Sequence, residues 1–303
     1  MKTPRALAIV TAWLVGLAPA WIAVGQRLPT FRAGVDLVAV DVSVTRGGRP
    51  VAGLKLENFI VLDNGVRQKL EGMVTERVPL DATLVLDASG SLGGGRLIEL
   101  KRAAETFLSG LSAQDRVSLM TFSHKVLLRC PLTSDFPAVR AALVWTESHG
   151  ATALYDATYV ALRLPEPGQR RVIAILFTDG FDNASWLSPD EVVDAARQSN
   201  VIIYGVTRAE YARSPRGAVF ATNGGSALDF LRSVSDATGG QLFRTEMNDS
   251  LEGAFVRVLE NVRARYLLRY SPDRLTPGWH RLEVRLKNAK GDVTARRGYF
   301  AAN

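Results

Sequence analysis

Cysteine is almost missing from the 303 residues, and Cys130, standing alone, excludes an internal disulfide. It is expected to be a small buried apolar side chain. No cysteine closes the N-terminal apolar segment, so lipid attachment there is not expected. Histidine is equally sparse: His124, His149 and His280 are scattered, and His149 reads as a loop residue. Catalytic signatures are missing too. Asp87-Ala88-Ser89-Gly90-Ser91 lacks the two glycines of a nucleophile elbow and a histidine base, and residues 90–96 lack the Gly-Lys-Ser/Thr of a phosphate loop. Phosphatases that use Mg²⁺ and an aspartyl nucleophile carry a second Asp two residues on, where this chain has Ser89, and no suitable lysine is evident. These absences argue against an enzyme.

What is present fits a folded body. Hydrophobic residues make up 47% and charged residues 22% of the chain, the balance of a globular protein with a sizeable core. The length suits one large or two moderate domains. The net charge of +7 loses Lys2 and Arg5 if the N-terminus is removed, a modest excess. Much of it lies between Arg257 and Arg297, often at alternating positions as in Arg281-Leu282-Glu283-Val284-Arg285-Leu286-Lys287. That is the pattern of a solvated sheet face, and nucleic acid is not an expected partner.

Residues 1–25 read as an export signal: a basic start at Lys2 and Arg5, an apolar run from Ala6 to Leu17, and cleavage sites at Ala18-Pro19-Ala20 or Ala23-Val24-Gly25. The alternative is an uncleaved anchor, the only membrane attachment expected. Either way the body is exported, to the periplasm, cell surface or medium.

Val35 to Thr45 largely alternates apolar and polar residues, the period of a half-buried strand. Phe59–Leu62, the turn Asp63-Asn64-Gly65 and Val66–Leu70 read as a hairpin. Ala264–Tyr270, Gly278–Lys287 and Asp292–Phe300 are strand-like as well. Residues 32–78 and 263–303 are therefore expected to pack as one small β-sandwich, with residues 79–262 inserted between them.

That insertion alternates buried strands with amphipathic helices, so a doubly wound, mainly parallel α/β sheet is expected. The strands are Ala82–Leu86, Val117–Phe122, Val172–Phe177 and Val201–Val206. The helices are Leu97–Leu111, Phe136–Trp145, Leu154–Leu164, Pro189–Gln198, Ala227–Thr238 and Ser250–Val262. Ser188 with Pro189, Asp190 and Glu191 is a strong helix start, and Gly239-Gly240 a stop.

Open α/β sheets bind ligands at the carboxyl edge of their strands. There the chain places Asp87-x-Ser89-x-Ser91, then Thr152 in Gly150-Ala151-Thr152 before a helix, then Asp179 in Thr178-Asp179-Gly180. Two carboxylates and three hydroxyls are hard oxygen donors that suit Mg²⁺ or Mn²⁺ without filling an octahedral shell. This set, in this order, resembles the metal-ion-dependent adhesion site of von Willebrand factor type A (VWFA) domains. Val35–Val42, Gly53-Leu54 with Glu57-Asn58-Phe59, Tyr266–Tyr270 and Arg297–Phe300 are similar to exported bacterial VWFA-related proteins of the acidobacterial type. The resemblance implies a site of Asp87, Ser89, Ser91, Thr152 and Asp179 whose ion captures an Asp or Glu of a partner protein. By the same likeness the serines ligate directly, Thr152 joins when ligand is bound, and the two aspartates act through water. A metal-free VWFA scaffold and a Mg²⁺-dependent hydrolase are the alternatives.

Around the site, Leu92-Gly93-Gly94-Gly95 departs from the family pattern and either opens the approach or loosens the loop. Asp156 is expected to hold its helix start or the neighbouring loop. Asp182 and Asn183 contact a partner or cap a turn. Trp145 and Trp186 read as packed side chains, with Trp186 a candidate recognition anchor.

Overall fold

Val40, Val42 and Val44 are buried along Val38–Arg46 (β1), as alternate side chains of a one-faced strand should be. In the computed structural model, residues 37–301 are described apart from 76–77, 166–169, 180–181, 209–226, 246–249 and 273–275. The export segment, Val35-Asp36 and Gly180 lie outside the described residues. Arg49–Pro50 (β2) folds back on β1. Phe59–Asp63 (β3) and Val66–Arg67 (β4) make the expected hairpin, with Asn64 at φ 49° and Gly65 at φ 82° in its tip. Its second arm is shorter than Val66–Leu70. The chain leaves that sheet after Arg67, and Leu70–Val74 (β5) pairs in another.

Then follow Leu80–Asp87 (β6), Gly95–Ser109 (α1), Arg116–Phe122 (β7), Val126–Thr133 (β8), Phe136–Val144 (α2) and Leu154–Arg163 (α3). Arg171–Phe177 (β9), Pro189–Gln198 (α4), Ile202–Arg208 (β10), Ala227–Thr238 (α5), Gln241–Thr245 (β11) and Leu251–Arg263 (α6) complete the middle of the chain. Tyr266–Tyr270 (β12), Gly278–Leu286 (β13), Asp292–Ala295 (β14) and Gly298–Ala301 (β15) close it.

The central sheet runs β11-β10-β9-β6-β7-β8, parallel except for β8, which is antiparallel to β7. Every residue of β6 is buried, because helices cover both faces. Leu84 and Leu86 pack with Phe107 of α1, Val139 of α2 and Phe255 of α6. Val85, on the opposite face, packs with Leu154 of α3, Val192 of α4 and Phe230 of α5. This is the doubly wound α/β arrangement expected. Ser188 caps α4 reciprocally with Glu191. Gly239, at φ 74°, follows α5 where a Cβ would strike the backbone of Ala295 and Arg296, so only glycine fits.

Two smaller antiparallel sheets are built from both ends of the described chain: β14-β1-β12-β5 with β2 on β1, and β15-β13-β3-β4. Asp292–Phe300 is not one strand. It divides at Arg296-Arg297, with β14 pairing β1 and β15 pairing β13. Val42, Leu268 and Tyr270 of one sheet share an apolar cluster with Phe59, Val61 and Leu282 of the other.

A polar group sits inside that cluster. Asp63 Oδ2 accepts from the Tyr270 hydroxyl at 2.7 Å and the Tyr299 hydroxyl at 2.8 Å, and Oδ1 lies 2.8 Å from His280 Nδ1. His280 Nε2 faces the Thr276 carbonyl at 2.7 Å, so both ring nitrogens meet acceptors and the charged imidazolium suits the site. Burial alone would lower the His280 pKa, but the Thr276 carbonyl and the Asp63 carboxylate outweigh it and hold it above the ordinary 6.5. A raised folded-state value means the stabilisation is complete below the unfolded-state pKa and is lost as pH rises through the folded one. Urea unfolding across neutral and alkaline pH should therefore show stability falling with pH, and His280→Gln should flatten that slope.

Candidate functional site

Strands β6 and β9 are neighbours with Leu86 level with Phe177, so their carboxyl ends deliver Asp87 and Thr178-Asp179 to one rim. Asp87 is fully buried; its Oδ1 accepts from the Ser89 amide at 2.8 Å and its Oδ2 from the Thr178 hydroxyl at 2.6 Å. Beyond Ser89 the chain makes a short 3₁₀ turn, Gly90–Leu92, anchored by the buried Leu92. Ser91 Oγ donates to Asp179 Oδ1 at 2.8 Å and lies 3.1 Å from Ser89 Oγ. Ser89, Ser91 and Asp179 thus form one chain of side-chain oxygens beside the buried Asp87.

The Thr152 loop is stitched to the same rim from both sides. The Gly90 amide donates to the Gly150 carbonyl at 2.9 Å, and the His149 amide to the Ala88 carbonyl at 2.8 Å. Thr152, buried, donates its amide to Asn183 Oδ1 at 2.7 Å, and its carbonyl accepts from the Asn183 and Ala184 amides at 2.9 and 3.1 Å. The structure therefore brings all five predicted residues to one edge, four through side-chain contacts of the Asp87 and Ser91 groups and Thr152 through its backbone.

Burial pushes the Asp87 carboxyl up to about 6; hydrogen bonds from Ser89 and Thr178 oppose the rise, and the nearby Asp179 charge adds to it. Two buried carboxylates held this close concentrate negative charge at the rim. Arg96 stands at the rim, its Nη1 3.7 Å from Asp179 Oδ2. Among the described residues no three His, Cys, Asp or Glu side chains cluster as metal ligands. The donor set here rests on hydroxyls as much as carboxylates.

Asp182 and Asn183 serve turns and loops: Asp182 accepts from the Tyr155 amide at 3.1 Å and the Ser185 amide at 3.2 Å, while Asn183 holds Thr152. Asp156 holds the neighbouring loop as expected, accepting from the Trp186 and Leu187 amides at 3.1 Å each. The expected packing of Trp145 and Trp186 is corrected, since they are 80% and 97% exposed. Trp145 falls just past α2, off the stripe that buries Val139 and Leu143. At the second site Leu187 takes the inward position and leaves Trp186 outside. His149 is an exposed loop residue, its ring 5.7 Å from that of His124. Nothing in the sequence marks Arg96 for this rim, and Thr178 is marked only by its adjacency to Asp179.

The family model for the von Willebrand factor type A domain matches residues 83–181, from within β6 to just past Asp179. The chain contains a VWFA domain. Curated relatives include an uncharacterized protein from Synechocystis sp., 26% identical over 188 residues, 59% of this chain and 44% of that one. Another is the inter-alpha-trypsin inhibitor heavy chain H4 of Sus scrofa, 24% identical over 137 residues, 42% of this chain and 15% of that one. The chain spans less than half the length of these relatives. Among solved structures, proximal thread matrix protein 1 of the mussel byssus, with a zinc-occupied MIDAS motif, superposes with a TM-score of 0.52 at 17% identity, over 67% of this chain and 50% of that one. At that identity the likeness concerns the VWFA fold alone.

Proposed function

We propose that this VWFA domain is a non-enzymatic, metal-dependent binding module that captures an acidic residue of a partner protein. The observation that carries the reading is the side-chain chain Ser89–Ser91–Asp179, with oxygens 2.8 and 3.1 Å apart, set beside the fully buried Asp87 carboxylate. An oxygen-only set with two carboxylates and no lysine fits Mg²⁺, or Mn²⁺, better than softer metals. Asp87, Ser89, Ser91, Thr152 and Asp179 would hold the ion. Once bound, the ion supplies a Lewis-acidic position to which a partner carboxylate can attach. The byssus protein's zinc-occupied MIDAS motif supports the reading by likeness of fold.

The protein's own residues do the preparatory work. Thr178 and the Ser89 amide orient Asp87, Asn183 holds Thr152 in place, and Leu92 anchors the serine turn. Residues 32–78 and 263–303 are proposed as a β-sandwich that carries the VWFA domain, residues 79–262. The module is proposed to be exported through residues 1–25. Among the described residues no helix is long and apolar enough to cross a membrane.

Affinity capture from the native cell envelope, with Mg²⁺ or with EDTA, tests the reading. A partner retained only with Mg²⁺, and lost with Asp179→Ala, is the expected result; equal retention with EDTA contradicts it. Trp186 stands on a loop clamped by Asp156, an exposed aromatic anchor in a fixed position. Trp186→Ala should weaken partner capture by about tenfold or more, within the ~2 kcal/mol range of anchor residues, and leave Mg²⁺ affinity unchanged by calorimetry.

A further inference from the structure

We propose that Arg96 is a tethered cation that shares the Asp179 carboxylate with an incoming metal ion, and so sets the ion concentration at which the site fills. The inference rests on the metal-site reading above. Arg96 is the second residue of α1, and its Nη1 donates to the Ser91 carbonyl at 3.1 Å while lying 3.7 Å from Asp179 Oδ2. The other Asp179 oxygen accepts from Ser91 Oγ. One guanidinium therefore touches the backbone of one proposed ligand and faces the carboxylate of another.

The two partners are unequally placed. The Asp179 side chain is wholly buried, whereas that of Arg96 is 50% exposed. A guanidinium stays protonated throughout the range in which proteins are folded, so its charge cannot be discharged when a cation arrives. A divalent ion on Ser91 and Asp179 would stand within a few ångströms of it, and the repulsion has to be relieved by movement of one of them. Arg96 is the one that can move. Its stem begins at Gly93-Gly94-Gly95, with Gly94 at φ 70° and open space where a Cβ would stand, and its half-exposed head has solvent to turn into.

The same contact has the opposite effect without metal. Asp87 and Asp179 are both buried, and each disfavours the charge of the other. A guanidinium beside Asp179 relieves that repulsion until a metal ion replaces it. Arg96 should thus stabilise the metal-free protein and weaken the metal-bound one, a pair of opposite signs that a purely structural side chain does not produce.

Mg²⁺ titration calorimetry on the full mature chain, with thermal unfolding in EDTA and in saturating Mg²⁺, tests this with wild type, Arg96→Ala and Arg96→Lys. Arg96→Ala is expected to bind Mg²⁺ about three- to tenfold more tightly, the span of a partly screened charge interaction. It should melt lower than wild type in EDTA, show a larger Mg²⁺-induced rise, and lose its affinity advantage as salt increases. Arg96→Lys, which keeps the charge, should stay near wild type. Heat from wild type with unchanged or weaker affinity in a folded Arg96→Ala overturns the inference alone. No saturable heat from either protein overturns the metal-site reading and this inference with it.

Discussion

Asp87→Ala is expected to weaken Mg²⁺ binding by about 100-fold or more, the upper range for removing a group that orients or neutralises a metal site. The carboxylate lies at the end of β6 with no exposure, and it aligns both the Ser89 amide and the Thr178 hydroxyl. Removing it takes away one of two negative charges and unfixes the turn that presents Ser89 and Ser91. The fold should survive, because two opposing effects meet at this position. Loss of the carboxylate leaves two donors short of an acceptor, which destabilises. Loss of a buried charge whose pKa is pushed up to about 6 removes a penalty present at neutral pH. Metal-free wild type and variant should accordingly melt within a few degrees of each other. Only wild type should gain stability from Mg²⁺, by about 2.7 kcal/mol at a hundredfold excess over Kd. A variant that still gains as much contradicts the site.

The largest effect on folding is expected from Arg265→Leu, a loss of about 3–5 kcal/mol in urea unfolding. Arg265 is 2% exposed and joins three parts of the chain. Its Nε donates to Asp41 Oδ1 on β1, its Nη2 to the Gly239 carbonyl at 2.8 Å, and its Nη1 to the Tyr204 hydroxyl on β10 at 3.1 Å. Arg171 on β9 takes the second Asp41 oxygen at 2.6 Å, and Tyr204 passes the network to Asn261 and then Ser43. Removing this cation leaves Asp41 Oδ1 and the Gly239 carbonyl without its donors and Tyr204 without one of its two partners, in a largely buried seam where water replaces them poorly. The exposed pair Arg140–Glu105 offers the contrast, since Arg140→Leu should cost no more than about 1 kcal/mol. Equal losses for the two variants would show that the seam is solvated or redundant.

Much of this architecture was legible in the residues. Runs such as Thr83–Leu86 and Ile173–Phe177 are apolar enough to be covered on both faces, and the polar residues that follow them mark the carboxyl rim. Ser188-Pro189-Asp190-Glu191 announced α4 to the residue. Strand β8 carries no clear period, because Pro131 interrupts it and Leu127, Leu128 and Leu132 are exposed on an edge. Strand β11 is five residues long, with only Leu242 and Phe243 apolar. Where Asp292–Phe300 splits, Arg296 bonds Asn200 at 2.7 Å, a partner far away in sequence. The same holds at the site. Asp87, Ser89, Ser91, Thr152 and Asp179 advertise themselves by type and order, whereas Arg96 does not, because a helix-start arginine is ordinarily solvated. Long-range pairs such as Asp41 with Arg265 carry no local signal, and only the folded chain brings them together.

The metal site itself is tested most directly by anomalous scattering from crystals of the protein grown with Mn²⁺. The expected result is a single strong peak at the rim, about 2.2 Å from the Ser89 and Ser91 hydroxyls and close to Asp87, Thr152 and Asp179. Clear density for a folded rim with no peak there, the Arg96 guanidinium filling the space between Asp87 and Asp179, would contradict it.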